Sequence, residues 1–243
     1  MTLTISGIGI ANNSGITQNF MTATDPFGNG GTIVFPNSAT AGSHVNILMF
    51  GGSTNFFNSS TAGSASIDNV VEGSTNCFDR SNAGSAHISN EGGGYTAFFN
   101  SSSAGSANIE TSDGRVIFAH NSTAGSAYIG VTDNSLLQCF DSSSAGSAFI
   151  GIAGGVGFGD SSTAGSATIS NSGFLDFGGS SRGVLQVDGS INSNTSVHDR
   201  GALAGTGTIY GNVTNTKGGK VGPGDAPGVP GVLTVVHNYT PLS

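Results

Sequence analysis

The sequence predicts an all-β fold: a single-stranded, right-handed parallel β-helix (β-solenoid) with about 20–21 residues per coil. Three observations carry this. The tripeptide Ala-Gly-Ser recurs seven times, starting at Ala41, Ala62, Ala83, Ala104, Ala124, Ala145 and Ala164, at spacings of 21, 21, 21, 20, 21 and 19 residues. Chemically matched columns stand at fixed offsets from each copy. Glycine supplies 41 of the 243 residues and charged side chains only 8%, which a helical bundle does not tolerate, since each interior Gly costs it up to ~1 kcal/mol. Six prolines and no Gly-x-y period exclude collagen. A period near 20 residues is too short for a helix-pair repeat. Right-handedness follows by analogy from the rule for parallel crossovers.

The columns define each coil. Five residues after the repeat Ala stand Ile67, Ile88, Ile109, Ile129, Ile150 and Ile169; six before it stand Phe35, Phe56, Cys77, Phe98, Phe118, Cys139 and Phe158. When coils stack at the ~4.8 Å strand spacing, a column becomes a ladder along the axis, and these two ladders form the core. Ala and Gly suit a tight corner. The position just before Ala holds Thr40, Thr61, Asn82, Ser103, Thr123, Ser144 and Thr163, side chains that bond corner backbone. Cys77 and Cys139 share the Phe column three coils apart, about 14 Å, beyond the ~7 Å Cα separation a disulfide spans. Both are expected to be reduced core residues, without a shared metal.

Three segments follow. Residues 1–34 are N-terminal coils and a cap, with short runs such as Leu3-Thr4-Ile5 and Thr32-Ile33-Val34 around the turn Asn12-Asn13-Ser14-Gly15. Residues 35–173 hold the seven repeats. Residues 174–243 continue as a C-terminal solenoid segment, with Phe174, Phe177 and Val184-Leu185-Gln186-Val187 alternating before the composition shifts at Gly201. The expected body is 10–12 coils, roughly 50–60 Å long.

That last segment carries a resemblance. Gly201-Ala202-Leu203-Ala204-Gly205-Thr206-Gly207-Thr208-Ile209-Tyr210-Gly211-Asn212-Val213-Thr214-Asn215, continued by Gly218 to Gly228, Leu233-Thr234-Val235 and Asn238-Tyr239-Thr240, resembles the C-terminal solenoid segment of bacterial autotransporter passenger domains. The Ala-Gly-Ser coils resemble repeats common in the same family, and Gly9 to Phe20 resembles an opening segment of such repeat proteins. Val229-Pro230-Gly231 reads as an insertion. The resemblance implies a bacterial cell-surface or secreted protein. It also implies a segment, here about Val184 to Thr240, that nucleates folding outside the cell. The family carries a leader before and an outer-membrane β-barrel after this region. Neither is expected within this chain, which opens Met1-Thr2-Leu3-Thr4-Ile5 and stops at Ser243, so it reads as a processed or cut-back passenger or as a relative secreted another way.

Chemistry is sparse. Six Lys plus Arg against 14 Asp plus Glu leave a net charge of −8, which argues against nucleic acid. No apolar run reaches the ~18 residues of a membrane helix. Four residues before the repeat Ala stand Asn37, Asn58, Asp79, Asn100, His120, Asp141 and Asp160. His120, Asp141 and Asp160 on successive coils form the only catalytic candidate, as stacked carboxylates for acid–base chemistry on a polysaccharide or oxygen ligands for a hard cation such as Ca²⁺. The alternative is a corner position where Asn and Asp bond local backbone. Absence of a Gly-Gly-x-Gly-x-Asp repeat argues against a calcium solenoid, and absence of regular Thr-x-Thr pairs against an ice-binding face. His44, His87, His198 and His237 are isolated and read as surface residues.

Phe57, Phe78, Phe99 and Phe140 stand beside the core column, with Ala119 and Gly159 at the other two rungs. Strand alternation turns them outward as an interaction stripe; a corner at this point would turn them into the core. The expectation is therefore a non-enzymatic stalk or adhesive passenger module without a cofactor. Its partners would be a host or environmental surface or glycan, with self-association through the stripe and the coil ends. A self-assembling extracellular filament subunit and a carbohydrate-active solenoid are the alternatives.

Overall fold

The computed structural model describes residues 1–26, 30–132, 134–171, 184–187, 190–191, 194–197, 202–216, 218–224 and 230–241. Phe174, Phe177, His198 and Gly201 lie outside these residues, as do all of residues 225–229.

The molecule is an all-β solenoid of parallel sheets, and the described residues contain no helix. Every coil contributes one short strand to each of two eleven-stranded sheets. The first sheet runs from Thr2–Thr4 through Thr32–Phe35, Ser53–Phe56, Ser74–Cys77, Tyr95–Phe98, Arg115–Phe118, Leu136–Cys139 and Gly155–Phe158 to Lys220–Val221. The second runs from Gln18–Thr22 through Val45–Phe50, Ser66–Val70, His87–Glu91, Asn108–Ser112, Tyr128–Thr132, Phe149–Ile152 and Thr168–Asn171 to Tyr239–Thr240. A third side consists of single bridges, Gly9 to Thr40, Thr61, Asn82, Ser103, Thr123, Ser144, Thr163 and Ser190. It broadens into a three-stranded sheet, Ser190–Ile191, Thr208–Ile209 and Thr234–Val235.

The registers are the columns of the sequence. Phe56 pairs with Cys77, Cys77 with Phe98, Phe98 with Phe118, Phe118 with Cys139 and Cys139 with Phe158. Ile67, Ile88, Ile109, Ile129, Ile150 and Ile169 pair in turn across the second sheet. All of these side chains are buried. Two of the Phe contacts stack nearly flat, Phe35 on Phe56 at 4.9 Å and Phe98 on Phe118 at 4.8 Å. Parallel in-register stacking repeats one good packing arrangement per coil, which is why a sequence with so few large apolar residues still closes a core.

The Ala-Gly-Ser corner explains its own invariance within the chain. The repeat alanines and those three residues later, such as Ala62 and Ala65, are buried against the core. The glycine after each repeat alanine is left-handed, with φ from +59° at Gly165 to +65° at Gly63 in the last six copies and +83° at Gly42 in the first. It also sits tight on the coil before: a Cβ at Gly84 would lie 2.4 Å from the carbonyl oxygen of Gly63. Only glycine meets both demands. The Thr or Ser two residues earlier accepts a hydrogen bond from that glycine's N–H, as Thr61 does from Gly63 at 3.1 Å and Ser103 from Gly105 at 2.9 Å.

The interior is not uniformly apolar. Between the Ile and Phe ladders lie Asn69 and Asn90, fully buried, with Thr75 and Thr96 facing them. Asn69 Nδ2 donates to Asn90 Oδ1 at 2.8 Å, Thr75 to Asn69 Oδ1 at 3.0 Å and Thr96 to Asn90 Oδ1 at 2.8 Å. Later coils replace this polar set with Val116, Leu137, Val131 and Ile152.

Candidate functional site

The polar ladder occupies a corner between the first sheet and the third side. Asn37, Asn58, Asp79, Asn100, His120, Asp141 and Asp160 all adopt the left-handed conformation, with φ between 56° and 60°. Asn and Asp tolerate this region better than other side chains with a Cβ. At five of these turns the backbone N–H faces the next coil and that coil's side chain accepts it; at Asp79 the link is instead Asn100 Nδ2 donating to Asp79 Oδ1 at 3.3 Å. Asn37 N–H donates to Asn58 Oδ1 at 3.1 Å, Asn58 N–H to Asp79 Oδ2 at 2.9 Å, His120 N–H to Asp141 Oδ2 at 2.9 Å and Asp141 N–H to Asp160 Oδ2 at 3.1 Å. His120 does the same job with Nδ1, which accepts from Asn100 N–H at 3.3 Å. His120, Asp141 and Asp160 are thus brought together as expected, each with one acceptor atom committed to the neighbouring backbone. Among the described residues no three His, Cys, Asp or Glu side chains group as a metal site would need. His44, His87 and His237 are separate and exposed.

One residue before that corner runs the phenylalanine stripe. Phe57, Phe78 and Phe99 stack at centroid distances of 4.9 and 5.2 Å with interplanar angles of 8° and 13°. Their side chains are half-buried, lying on the outward side of the strand end while Phe56, Cys77 and Phe98 fill the inside. Ala119 breaks the stack, so the edge of His120 meets Phe99 at 6.2 Å. Phe140, 38% exposed, stands apart on the far side of Ala119.

The stripe is also one wall of a groove that the repeating columns do not announce. On the outer face of the first sheet, a hollow of about 910 Å³ lies between Phe78 and Phe99 on one rim and Glu72 and Asp113 on the other. Tyr95 and Arg115, neighbours in register, form part of its floor. Both stand three residues before a Phe-column residue, and that position was a readable signal. It varies as Ser53, Ser74, Tyr95, Arg115, Leu136 and Gly155, and variation within an otherwise repetitive chain marks a place where the coils differ in purpose. A second aromatic pair was missed in the same way. Tyr128 and Phe149, on the outer face of the second sheet, stack at 5.7 Å and are 45% and 43% exposed.

Cys77 and Cys139 are free and buried. Burial pushes each thiol from the ordinary value of 9.0 up to about 12, partly offset by hydrogen bonds to Ser81 and Ser143. A thiol held this firmly protonated is a poor nucleophile or metal ligand. Comparison with known protein families, with curated proteins and with solved structures finds no match to the chain.

Proposed function

We propose that this chain is a non-enzymatic adhesive module, a β-solenoid passenger of the autotransporter kind displayed at a bacterial surface or released from it. The observation that carries the reading is the contrast between the two ladders. The polar ladder spends its acceptors on backbone N–H groups at several successive corners. A structural task repeated from coil to coil explains Asp141 and Asp160 as well as it explains Asn37 and Asn58. The phenylalanine stripe has no comparable internal task, since the core is already filled by the adjacent column. Its three stacked rings present a contiguous apolar edge to solvent, the usual mark of a contact surface. The localisation rests on the resemblance of the Gly201 to Thr240 segment, and a rigid rod with a lateral contact stripe suits a stalk that must reach and hold.

The test uses beads coated with the full chain, scored for adherence to epithelial cells and polymer-coated glass. Replacing Phe57, Phe78 and Phe99 together by Ser should lower adherence at least several-fold, with the circular dichroism spectrum retained. In parallel, pectin, alginate and cellulose incubated with the chain should yield no new chain ends. Cleavage abolished by Asp141→Ala would overturn the reading in favour of an enzyme.

A further inference from the structure

We propose that the groove on the outer face of the first sheet binds an extended, neutral, hydroxyl-rich glycan lying along the solenoid axis. This deepens the adhesive reading and rests on it. The wall rings Phe78 and Phe99 are 5.2 Å apart, a repeat imposed by the stacking of coils. Pyranose units in an extended β-1,4-linked chain advance by a similar step and turn over by about half a turn each time, so each sugar meets one coil and the same face recurs on every second coil. An extended peptide does not: it rises ~3.3 Å per residue, so side chains on one face recur at about 6.6 Å and fall out of step with the rungs.

The groove's composition fits a sugar. Half-buried Phe78, Phe99 and Tyr95 offer apolar surface for the C–H faces of the rings, while a few polar groups set orientation. Arg115 is exposed on the floor and forms no ion pair with any described residue. Its five donors are open to hydroxyl oxygens. Glu72 and Asp113 on the opposite rim are acceptors for hydroxyl protons. One guanidinium against two carboxylates, on a chain of net charge −8, repels a polyanion, so the ligand is neutral.

The rim carries a further sign of purpose. Val71 and Glu72 are consecutive left-handed residues, with φ of 50° and 63°, whereas the corresponding turns use Gly51 at 60° and Gly92 and Gly93 at 55° and 82°. A β-branched residue in this region is a genuine outlier. Strain of this kind persists where the local conformation is wanted for something else. Here it accompanies the placement of Glu72 on the groove.

Isothermal titration of the full chain with β-1,4-linked hexasaccharides of glucose, xylose and mannose, and with hexagalacturonate, tests this. At least one neutral hexasaccharide should bind with a Kd of about 1 mM or tighter, and hexagalacturonate should bind more weakly. Phe99→Ser should weaken binding about tenfold. Arg115→Gln, an exposed change that leaves the core untouched, should weaken it at least about threefold, while Tyr128→Ser on the opposite sheet leaves it unchanged. No binding of any neutral hexasaccharide, preference for hexagalacturonate, or loss with Tyr128→Ser but not with Arg115→Gln would each overturn the proposal. If coated beads still adhere through the stripe in that event, the glycan falls and the adhesive reading stands; if adherence fails as well, both fall.

Discussion

At the scale of the residue, backbone conformation decides more than side-chain chemistry. Asn, Asp and one His sit at left-handed corners because their short polar side chains reach the neighbouring coil's N–H; Gly sits where a Cβ would strike the coil below. Val71 satisfies neither rule. It is 58% exposed, so its side chain has little packing to offset a left-handed backbone that costs an L-residue roughly 1–2 kcal/mol. Val71→Gly should therefore stabilise the protein by about 1 kcal/mol, read as a higher denaturant midpoint at unchanged slope. A lower midpoint would mean that the exposed isopropyl group contributes more than the turn loses. The buried serine column shows what sequence alone did not reveal at this scale. Ser102 and Ser122 are polar and small, yet both are buried and their hydroxyls lack a partner, whereas Ser143 in the same column donates to the carbonyl of Phe118 at 3.2 Å. Burial here follows from how sharply the corner turns, which residue type does not encode.

At the scale of the element, the coil is legible because its chemistry repeats. A column of Ile or Phe announces an inward position, and a column of Asn, Asp and His a corner, whatever the handedness or loop length. The groove was only half legible: the varied position of Tyr95 and Arg115 marks where the coils differ, but their proximity to Glu72 and Asp113 depends on turns whose length changes between coils. The corner ladder itself yields a graded test. Asp141 combines a left-handed φ of 56° with a hydrogen bond from His120 N–H. An asparagine at this rung would keep both features, a glycine only the conformation, and an alanine neither. Asp141→Asn should be close to neutral, Asp141→Gly should cost about 1 kcal/mol for the lost acceptor, and Asp141→Ala about 2 kcal/mol once backbone strain is added. Equal losses for all three substitutions would show that the carboxylate charge, not the turn, is what matters at this rung.

At the scale of the whole molecule, the solenoid is a rod about 48 Å long, from eleven strands at ~4.8 Å, whose stability is close to a sum over coils and their neighbours. Its ends differ from its middle. The first strand, Thr2–Thr4, is exposed throughout, and Met1, Leu3 and Met21 lie open to solvent around a hollow of about 390 Å³. The centre, by contrast, is dry enough to hold two thiols protonated, and this makes alkaline pH a probe of the core. Unfolded, Cys77 and Cys139 lose their protons near the ordinary value of 9.0; folded, burial holds them until about 12. Between those values the unfolded state binds fewer protons than the native state, so stability is fully present below pH 9 and falls as pH rises toward 12. Each thiol steepens the decline by roughly 1 kcal/mol per pH unit. Tyrosines and lysines titrate in the same window, so the comparison that isolates the thiols is with Cys77→Val/Cys139→Val. Guanidinium unfolding at pH 8, 9, 10 and 11 should give a native-minus-variant difference that is flat up to pH 9 and then shrinks steadily. A difference that stays constant to pH 11 would mean that the thiolates ionise as easily in the folded rod as in the unfolded chain, and that water reaches the Phe ladder.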